Sequence, residues 1–515
     1  MISKINSAVL YGIDSLAVQV EADISSGLPA FDIVGLPDSA VKESRERVRS
    51  AIKNCGFSFP AKRITINLAP ANLRKEGPSF DLPIAAGILC TTGDIPQRAA
   101  QSFFMAGELS LDGSIRPIHG VLSMICMAKE TGLQKCILPI ENAAEGALVE
   151  DMEIYPVRDL RQLSDFLKGV EKGSYSISPY QVDLQAFWKK EREQNQLLDF
   201  SHMKGQEAAK FAAEIAASGA HNLLLVGPPG SGKTMLAKRL PSILPDMTFE
   251  ECIELTKIYS IAGLLDQKEA LITQRPFRSP HHTISPSALT GGGRIPKPGE
   301  ISLSHHGVLF LDELPEFQRT ALEVMRQPLE DGKVTISRVN GTLTFPADFM
   351  LVAAMNPCPC GYLGNSEKCH CTQNEIAKYH SKISGPLLDR IDLMAEMPAV
   401  RFEELGDQTK AESSADIRAR VVEAHQIQVK RYENEGILFN AQLTPAMIEK
   451  YCPLGEAENN LLQSAFLRMG FSARAYHRVL KVARTIADLN HSNQIASRHL
   501  ASALQYRSLD RKYMM

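Results

Sequence analysis

The fold of this chain is decided by Gly227-Pro228-Pro229-Gly230-Ser231-Gly232-Lys233-Thr234, which fits the pattern G-x-x-x-x-G-K-[ST]. The segment follows residues 222–226, a short apolar run typical of a strand buried on both faces of a parallel sheet. Glycines let the backbone turn several N–H groups toward one anion, and a helix beginning near Lys233 adds the positive end of its dipole. We therefore predict a phosphate-binding loop in which Lys233 reaches the β and γ phosphates of a nucleotide and Thr234 binds Mg²⁺. A glycine-rich turn without a ligand is the alternative.

Polar side chains end two further apolar runs. Residues 307–311 are followed by Asp312 and Glu313, and residues 349–355 are followed by Asn356. Ligands of open α/β sheets bind at the carboxyl ends of the strands. We predict that Asp312 holds Mg²⁺, that Glu313 orients and polarises the attacking water, and that Asn356 positions this water or contacts the γ phosphate. The alternatives are a solvated strand end for the acidic pair and a strand-end turn for Asn356.

The composition is that of an ordinary globular protein. The chain has 515 residues, of which 44% are hydrophobic and 22% charged, with a net charge of -3. This near-neutral balance argues against a basic domain that binds nucleic acid wholesale, so any DNA contact has to come from local patches. The sequence has neither an apolar stretch of 18 residues nor a signal-peptide pattern, so we expect a cytoplasmic protein without a membrane partner.

Changes of pattern along the chain divide it into four predicted parts. The first is mixed α/β, with strands near residues 9–20 and 64–68 and helices at 39–54 and 81–89. A linker rich in Gly, Ser and charged residues separates it from an α/β nucleotide-binding core, and the last part has only helical patterns. The predicted boundaries are 1–170, 171–198, 199–400 and 401–515.

Four cysteines are clustered as C-x-C, eight residues, C-x-C: Cys358, Cys360, Cys369 and Cys371. Four thiols this close can surround one tetrahedral Zn²⁺, although the spacing is tighter than the usual C-x₂-C pattern. Reduced structural thiols and a redox disulfide are the alternatives that remain open.

These segments resemble the magnesium-chelatase-like AAA+ ATPases, specifically the ComM/YifB family. The resemblance covers nearly the whole chain, and its matching stretches are Lys204-Gly205-Gln206, Gly227 to Thr234, Arg278 to His282, Gly307 to Leu314, Asn356 to Gly361 and Ser384 to Asp392. It implies an AAA+ P-loop core with a helical lid, and ATP with Mg²⁺ as cofactors.

The resemblance also implies roles for two arginines. Arg390 resembles the arginine finger that stabilises charge on the γ phosphate in a neighbouring subunit's site, which implies a ring, a hexamer in this family. Arg474 resembles the sensor-2 arginine of the lid. From the residues alone, both would be interpreted as solvated or ion-paired.

Two segments are candidates for DNA contact. Residues 334–345 alternate around Asn340-Gly341, which predicts a hairpin. Its place between the acidic strand and Asn356 is similar to that of the pre-sensor hairpin of MCM helicases, and this resemblance implies that Arg338 and Lys333 lie near DNA phosphates. An ordinary surface hairpin is the alternative. The second segment is a basic loop, residues 275–297, with four candidates: Arg275, Arg278, Arg294 and Lys297. The pairs His281-His282 and His305-His306 are interpreted as satisfied or exposed histidines and not as metal ligands.

Residues 1–170 resemble the ribosomal-S5-domain-2-like fold of the Lon protease domain and of RadA. Ser79 falls on the nucleophilic serine of Lon, but the position of its lysine falls on Leu122. A serine without a base is a weak nucleophile, so we expect no peptidase activity. By fold analogy the domain handles DNA, with a local basic patch formed by Lys62, Arg63, Arg74 and Lys75.

The resemblance therefore implies an ATP-hydrolysing ring motor on single-stranded or branched DNA, as in branch-migration helicases of recombination or natural transformation. A magnesium-chelatase-type ATPase that remodels a protein partner is the first alternative. A Lon-like protease and unfoldase is the second alternative, against which Leu122 argues.

Overall fold

The computed structural model describes residues 2–183, 198–266, 270–293, 296–338, 341–364, 367–399, 411–469 and 472–507. These residues form two compact units. The first is drawn from Met1–Phe187 and Phe249–Ile272, and the second from Trp188–Thr248 and Thr273–Met515. Residues 249–272, which the sequence analysis assigns to the nucleotide-binding core, thus fold with the first unit. No helix in the described ranges is long and apolar enough to cross a membrane.

The first unit is built around a mixed sheet. Its strands are β1 Ile2–Tyr11, β2 Asp14–Ser25, β3 Ala30–Val34, β4 Arg63–Ala69, β5 Phe104–Met105, β6 Glu108–Leu109, β7 Ile115–Arg116, β8 Lys135–Pro139 and β9 Glu153–Val157. Within the described residues, seven of them form one sheet in the order β3-β4-β2-β1-β5-β8-β9. β1, β2 and β4 pair antiparallel, whereas β5, β8 and β9 pair parallel. The short strands β6 and β7 form a separate antiparallel pair.

Helices cover this sheet and bury its apolar side chains. Their bounds are Ser39–Asn54, Asp81–Thr92, Gln97–Gln101, Val121–Glu130, Ala143–Gly146, Leu160–Glu171 and Phe249–Ala262. The first helix begins where the Asp38 carboxylate accepts from the Val41 N–H at 2.8 Å, an N-cap. The last helix is tied to the unit by Ser260, whose hydroxyl accepts from the Gly120 N–H and donates to the buried carboxylate of Glu145.

The second unit contains a parallel sheet. Its strands are β10 Leu223–Val226, β11 Phe277–Arg278, β12 Gly291–Gly292, β13 Lys297–Pro298, β14 Val308–Leu311, β15 Lys333–Arg338, β16 Gly341–Pro346, β17 Met350–Met355 and β18 Leu393–Glu396. In the part of this unit that the structure describes, five strands form a sheet in the order β11-β14-β17-β10-β18, with every pair parallel. β10, β14 and β17 are buried along their whole length, as their apolar sequences predict. The mixed α/β fold class is therefore confirmed.

Helices flank the parallel sheet, and the described part of residues 411–507 consists of helices joined by turns and loops, with no strand. Before this region they span Glu207–Gly219, Lys233–Ala237, Pro286–Thr290, Glu300–Leu303, Arg319–Glu323, Pro328–Asp331, Gln373–His380 and Gly385–Leu388. The C-terminal helices are Ser414–Arg431, Pro445–Tyr451, Glu456–Met469, Ala473–Leu489 and Ser497–Gln505. The helical character expected at the C-terminus is therefore observed, since the described residues there contain helices and no strand.

Candidate active site

The predicted phosphate-binding loop connects β10 to the helix Lys233–Ala237. Gly230 and Gly232 have φ values of 77° and 93°, in the left-handed region that favours glycine. A Cβ atom on Gly227 would lie 2.2 Å from the carbonyl oxygen of Met397, so no larger residue fits there. The glycines are therefore required both for the curl of the loop and for its close packing.

Lys233 lies at the centre of this loop and is 9% exposed. Its Nζ donates to the carbonyl oxygens of Gly227 at 2.7 Å and Pro228 at 2.9 Å, and to Oδ1 of Asn356 at 3.2 Å. Burial lowers the pKa of the Lys233 ammonium, and the charges of Asp312 and Glu313 oppose this shift. The structure thus brings the loop lysine and Asn356 together, although they are distant in sequence.

Thr234 and Asp312, the two predicted Mg²⁺ ligands, are in direct contact. The Thr234 hydroxyl donates to Oδ2 of Asp312 at 2.6 Å, so both oxygens are available at one point of the sheet edge. The buried hydroxyl of Ser231 has no hydrogen-bond partner among the described residues. An unpartnered polar atom inside a glycine-rich loop suits an anionic ligand, and these residues therefore fit a nucleotide with Mg²⁺.

Glu313 turns away from the strand that precedes it. It has a φ of 53°, in the left-handed region, and its N–H donates to Oδ1 of Asp312 at 3.0 Å. Its side chain is 58% exposed, and its Oε2 lies 3.5 Å from Nδ1 of His282. The Glu313 carboxylate is therefore accessible to water at the rim of the site. His282 next to it was not predicted as a site residue.

A further polar residue missed by sequence reasoning is Gln206. Its Nε2 donates to the carbonyl oxygen of Pro398 at 2.6 Å and, more weakly, to that of Ser231 at 3.4 Å. Gln206 itself has a φ of 63°. It belongs to Lys204-Gly205-Gln206, one of the stretches that carry the family resemblance. This was the only indication in the sequence that Gln206 matters, and no role was predicted for it. The contacts indicate that Gln206 holds the phosphate-binding loop in place.

Arg390 and Arg474 are brought together, but not at the loop. Both contact the carboxylate of Glu330: Arg390 through a hydrogen-bonded ion pair, and Arg474 at 3.8 Å. Arg390 also donates to the carbonyl oxygen of Pro386 at 2.6 Å. Among the described residues, no hydrogen bond or ion pair joins either arginine to the phosphate-binding loop. The chain therefore presents both guanidinium groups next to each other at Glu330.

Asp392 anchors the segment that carries Arg390. It accepts from the Asn222 N–H at 3.0 Å, and its carboxylate lies 3.7 Å both from Nε of Arg478 and from Nδ1 of His221. Although burial opposes ionisation, the neighbouring His221 and Arg478 hold the pKa of Asp392 at about 2. Because Arg478 belongs to the same helix as Arg474, this carboxylate ties the two arginine-bearing segments together.

The four clustered cysteines also converge. Their Sγ atoms all lie within 4.8 Å of one another. Cys358 is buried and the other three are half-buried. The cluster lies close to the nucleotide-binding loop, since a Cβ atom on Gly361 would be 2.5 Å from Cδ of Pro229.

The predicted hairpin is present as β15 and β16, which pair from Lys333 opposite Pro346 to Arg338 opposite Gly341. Its apolar face is buried through Val334, Ile336 and Phe345. Its other face is polar, with Ser337 and Thr342 hydroxyls 3.1 Å apart. Lys333 is exposed. The turn residue Asn340, the loop candidate Arg294 and the side chain of the hairpin candidate Arg338 lie outside what the structure describes.

Five basic residues proposed for DNA contact have partners within the fold. Arg63 pairs with Asp32 at 3.4 Å, and Arg74 pairs with Glu76 at 3.1 Å. Lys75 is fully buried and donates to the carbonyl oxygens of Pro70 and Leu73. Arg275 donates to the carbonyl oxygens of residues 245, 246 and 306, and Arg278 forms two bonds of 2.7 Å with Glu300. Because Lys75 is fully buried, the prediction for this side chain was wrong. The arginines are each paired within the fold, and their contact with DNA stays a prediction. Lys62 and Lys297 remain exposed.

The protease-like positions of the first unit carry no dyad. Leu122 is fully buried, and its N–H donates to Glu145 at 3.0 Å. Ser79 is 7% exposed. Burial raises the pKa of Glu145, against the hydrogen bonds that it accepts. The position of the Lon lysine is therefore occupied by a core side chain.

Family models for magnesium chelatase match three parts of the chain. The model described as "Magnesium chelatase, subunit ChlI" matches residues 199–405, "Subunit ChlI of Mg-chelatase" matches residues 20–142, and "Magnesium chelatase, subunit ChlI C-terminal" matches residues 411–507.

Two of the similar proteins align over almost the whole length of the chain, and a third aligns over part of it. The chain is 45% identical to "Competence protein ComM" of Haemophilus influenzae over 516 aligned residues, which cover 98% of both chains. It is 42% identical to a YifB protein of Salmonella typhimurium, covering 98% of this chain and 97% of the relative. It is also 28% identical to "Lon protease 2" of Bacillus subtilis over 179 residues, 31% of this chain and 32% of the relative.

Proposed function

Because the chain belongs to the ComM/YifB family of magnesium-chelatase-like AAA+ ATPases, we propose that it hydrolyses ATP as a ring-forming motor acting on DNA. The observation that carries the ATPase activity is the meeting of Lys233, Thr234, Asp312 and Asn356 at one edge of the parallel sheet. This edge is where open α/β sheets bind their ligands.

Each side chain of the site has a separate proposed role in ATP hydrolysis. Lys233, already held by the loop carbonyls, turns its charge to the β and γ phosphates, and Thr234 and Asp312 offer adjacent oxygens for Mg²⁺. Bound Mg²⁺ supplies charge that offsets the triphosphate. Glu313 orients and polarises the attacking water from the exposed rim, and Asn356 fixes its position from the next strand.

We propose that the site is completed by a neighbouring subunit. Arg390 and Arg474 both lie at Glu330, and within the described residues neither contacts the loop of its own chain. A guanidinium reaching the γ phosphate from the next subunit stabilises charge in the transition state. Repeating this head-to-tail contact closes a ring, a hexamer by resemblance to the family.

The DNA part of the proposal rests on two observations. The hairpin of β15 and β16 packs one face on the core and presents a polar face with the exposed Lys333, which suits contact with a phosphate backbone. A relative with 45% identity is named for competence. We propose that single-stranded or branched DNA is the substrate, and that hydrolysis drives branch migration during recombination or transformation.

The test is the ATPase rate of the purified chain with no DNA, and with single-stranded, duplex or branched DNA, over a series of salt concentrations. We expect stimulation by DNA that falls steeply as salt rises, since phosphate contacts release counterions. Lys333→Ala is expected to reduce the slope of log affinity against log salt by about 1. The matched control is Lys378→Ala, an exposed lysine outside the hairpin, which is expected to leave the slope unchanged.

Other outcomes separate the alternatives. ATPase activity that ignores every form of DNA but responds to a protein partner would favour a chelatase-type remodelling subunit. Cleavage of an unfolded protein that is lost on Ser79→Ala would favour a protease, against the buried Leu122.

A further inference from the structure

The cysteine cluster has the dimensions of a single-metal site. Sγ of Cys358 lies 3.4 Å from Sγ of Cys360 and 3.8 Å from Sγ of Cys369, and the Sγ atom of Cys371 is within 4.8 Å of the other three. Four donors of one kind thus surround one point, although the two C-x-C pairs lie at opposite ends of a loop.

The distances between the sulfur atoms distinguish a zinc site from a disulfide and from an iron–sulfur cluster. A tetrahedral site with Zn–S bonds of about 2.3 Å has sulfurs about 3.8 Å apart, close to the observed separations. A disulfide would need sulfurs about 2.05 Å apart, and the cysteines are free. A cluster of several iron atoms with bridging sulfides needs more room than four sulfurs within 4.8 Å of one another leave.

We propose that Cys358, Cys360, Cys369 and Cys371 bind one Zn²⁺ as four thiolates, in a structural site that supports the nucleotide-binding loop. Each thiol loses its proton as its sulfur binds the metal, and no electrons are transferred. With four protein ligands the ion has no open position for water or substrate, so it does not take part in ATP hydrolysis.

The placement of the ligands gives the ion its role. Cys358 follows Asn356 and Pro357 at the end of β17, and Cys371 precedes Thr372, the N-cap of the helix Gln373–His380. The end of this helix returns to the same strand end, since Nε2 of His380 lies 3.0 Å from the carbonyl oxygen of Pro357. The ion therefore links the residue after Pro357 to the start of a helix whose other end also contacts Pro357, the neighbour of Asn356.

The loop closed in this way reaches the phosphate-binding loop. Gly361 has a φ of 86°, and a Cβ atom there would be 2.5 Å from Cδ of Pro229 and 3.8 Å from Cγ of Asn356. This glycine directly follows Cys360, so a metal ligand lies one residue from the contact. We expect loss of the ion to loosen Pro229 and Asn356 together and to weaken nucleotide binding several-fold.

The first measurement is elemental analysis of the full-length chain, purified without added metal and with any affinity tag removed. We expect about one zinc per chain, and a fall of at least about tenfold in Cys369→Ser. The control is Cys126→Ser, which removes a lone, half-buried cysteine of the first unit and is expected to retain the zinc. A fluorescent ATP analogue then compares nucleotide affinity in the two variants.

A second measurement covers the case in which Cys369→Ser does not fold. Titration of the native chain with a thiol-specific mercurial, with released zinc followed by a metal-sensitive dye, is expected to release one zinc as the cluster reacts. Co²⁺ in place of zinc is expected to give the absorption of a tetrahedral thiolate site. The proposal is overturned if the native chain holds no zinc after reconstitution under reducing conditions, if iron is bound instead, or if Cys369→Ser keeps its zinc.

Discussion

The edge of the parallel sheet and the region around Glu330 differ in whether their predicted site residues contact one another in the arrangement that catalysis needs. At the sheet edge, Lys233 already bonds to Asn356 and Thr234 to Asp312, at 3.2 Å and 2.6 Å. At Glu330, two arginines are paired with a carboxylate instead of facing a phosphate.

Under the proposed function, this difference corresponds to a site that is divided between two chains. Binding groups are held by neighbouring strands of one sheet, whose spacing is fixed by backbone hydrogen bonds, so they are in place without a partner. The arginines lie on a segment anchored by Asp392 and on the helix Ala473–Leu489. We infer that one chain binds the nucleotide, whereas rapid hydrolysis needs a second chain.

The largest effect is expected from Glu313→Gln, which keeps the size of the side chain but removes the charge that polarises water. We expect ATP binding to persist and turnover to fall by about 10²- to 10⁴-fold. Steady-state ATPase rates and nucleotide binding measured on the same preparation test this. Glu316→Gln, an exposed acid paired with Lys382, is the control and should leave both nearly unchanged. A normal rate in the Glu313 variant would remove this carboxylate from the mechanism.

Mixing two inactive variants tests whether the site is divided between chains. Arg390→Ala is expected to lower turnover by about 10³-fold, and Lys233→Ala to abolish nucleotide binding. In rings mixed at random, about a quarter of interfaces join an intact loop to an intact arginine, and activity should return in that proportion. If the mixture stays inactive while both variants still assemble, Arg390 acts within its own chain or only supports the fold.

The sequence was sufficient to predict the site residues that lie at the ends of strands. Asp312 and Asn356 end buried apolar runs, and parallel strands place such ends at one edge, so both follow from periodicity. The sequence pattern of residues 227–234 is specific to phosphate-binding loops, so the loop could be predicted from the sequence alone. The predicted hairpin of residues 334–345 followed in the same way from alternation around a turn.

The rest depends on contacts between distant segments. Gln206 and His282 reach the site through packing, and no local pattern marks a glutamine that bonds to a loop carbonyl. Lys75 and Arg275 were assigned to DNA because charge is normally exposed, yet carbonyl groups elsewhere in the fold satisfy them. Residues 249–272 were included in the predicted core because they lie between two of its segments along the chain. Position in the sequence does not show which unit such a segment packs with.

The smallest change in turnover is expected for substitution of Glu330. It tests whether the region around Glu330 is less preorganised than the sheet edge. If the carboxylate only holds the arginines until a neighbour's nucleotide competes for them, Glu330→Gln should raise turnover. Its pair with Arg474 is exposed on both sides, at 55% and 58%. Exposed ion pairs contribute about 0.2–1 kcal/mol, so release of this arginine corresponds to an increase of about 1.4- to 5-fold. ATPase rates at several protein concentrations measure this, with Asp331→Asn on the same short helix as the control. A fall in the rate of the fully assembled protein would instead show that Glu330 aligns the arginines for catalysis, in which case the second region is as preorganised as the first.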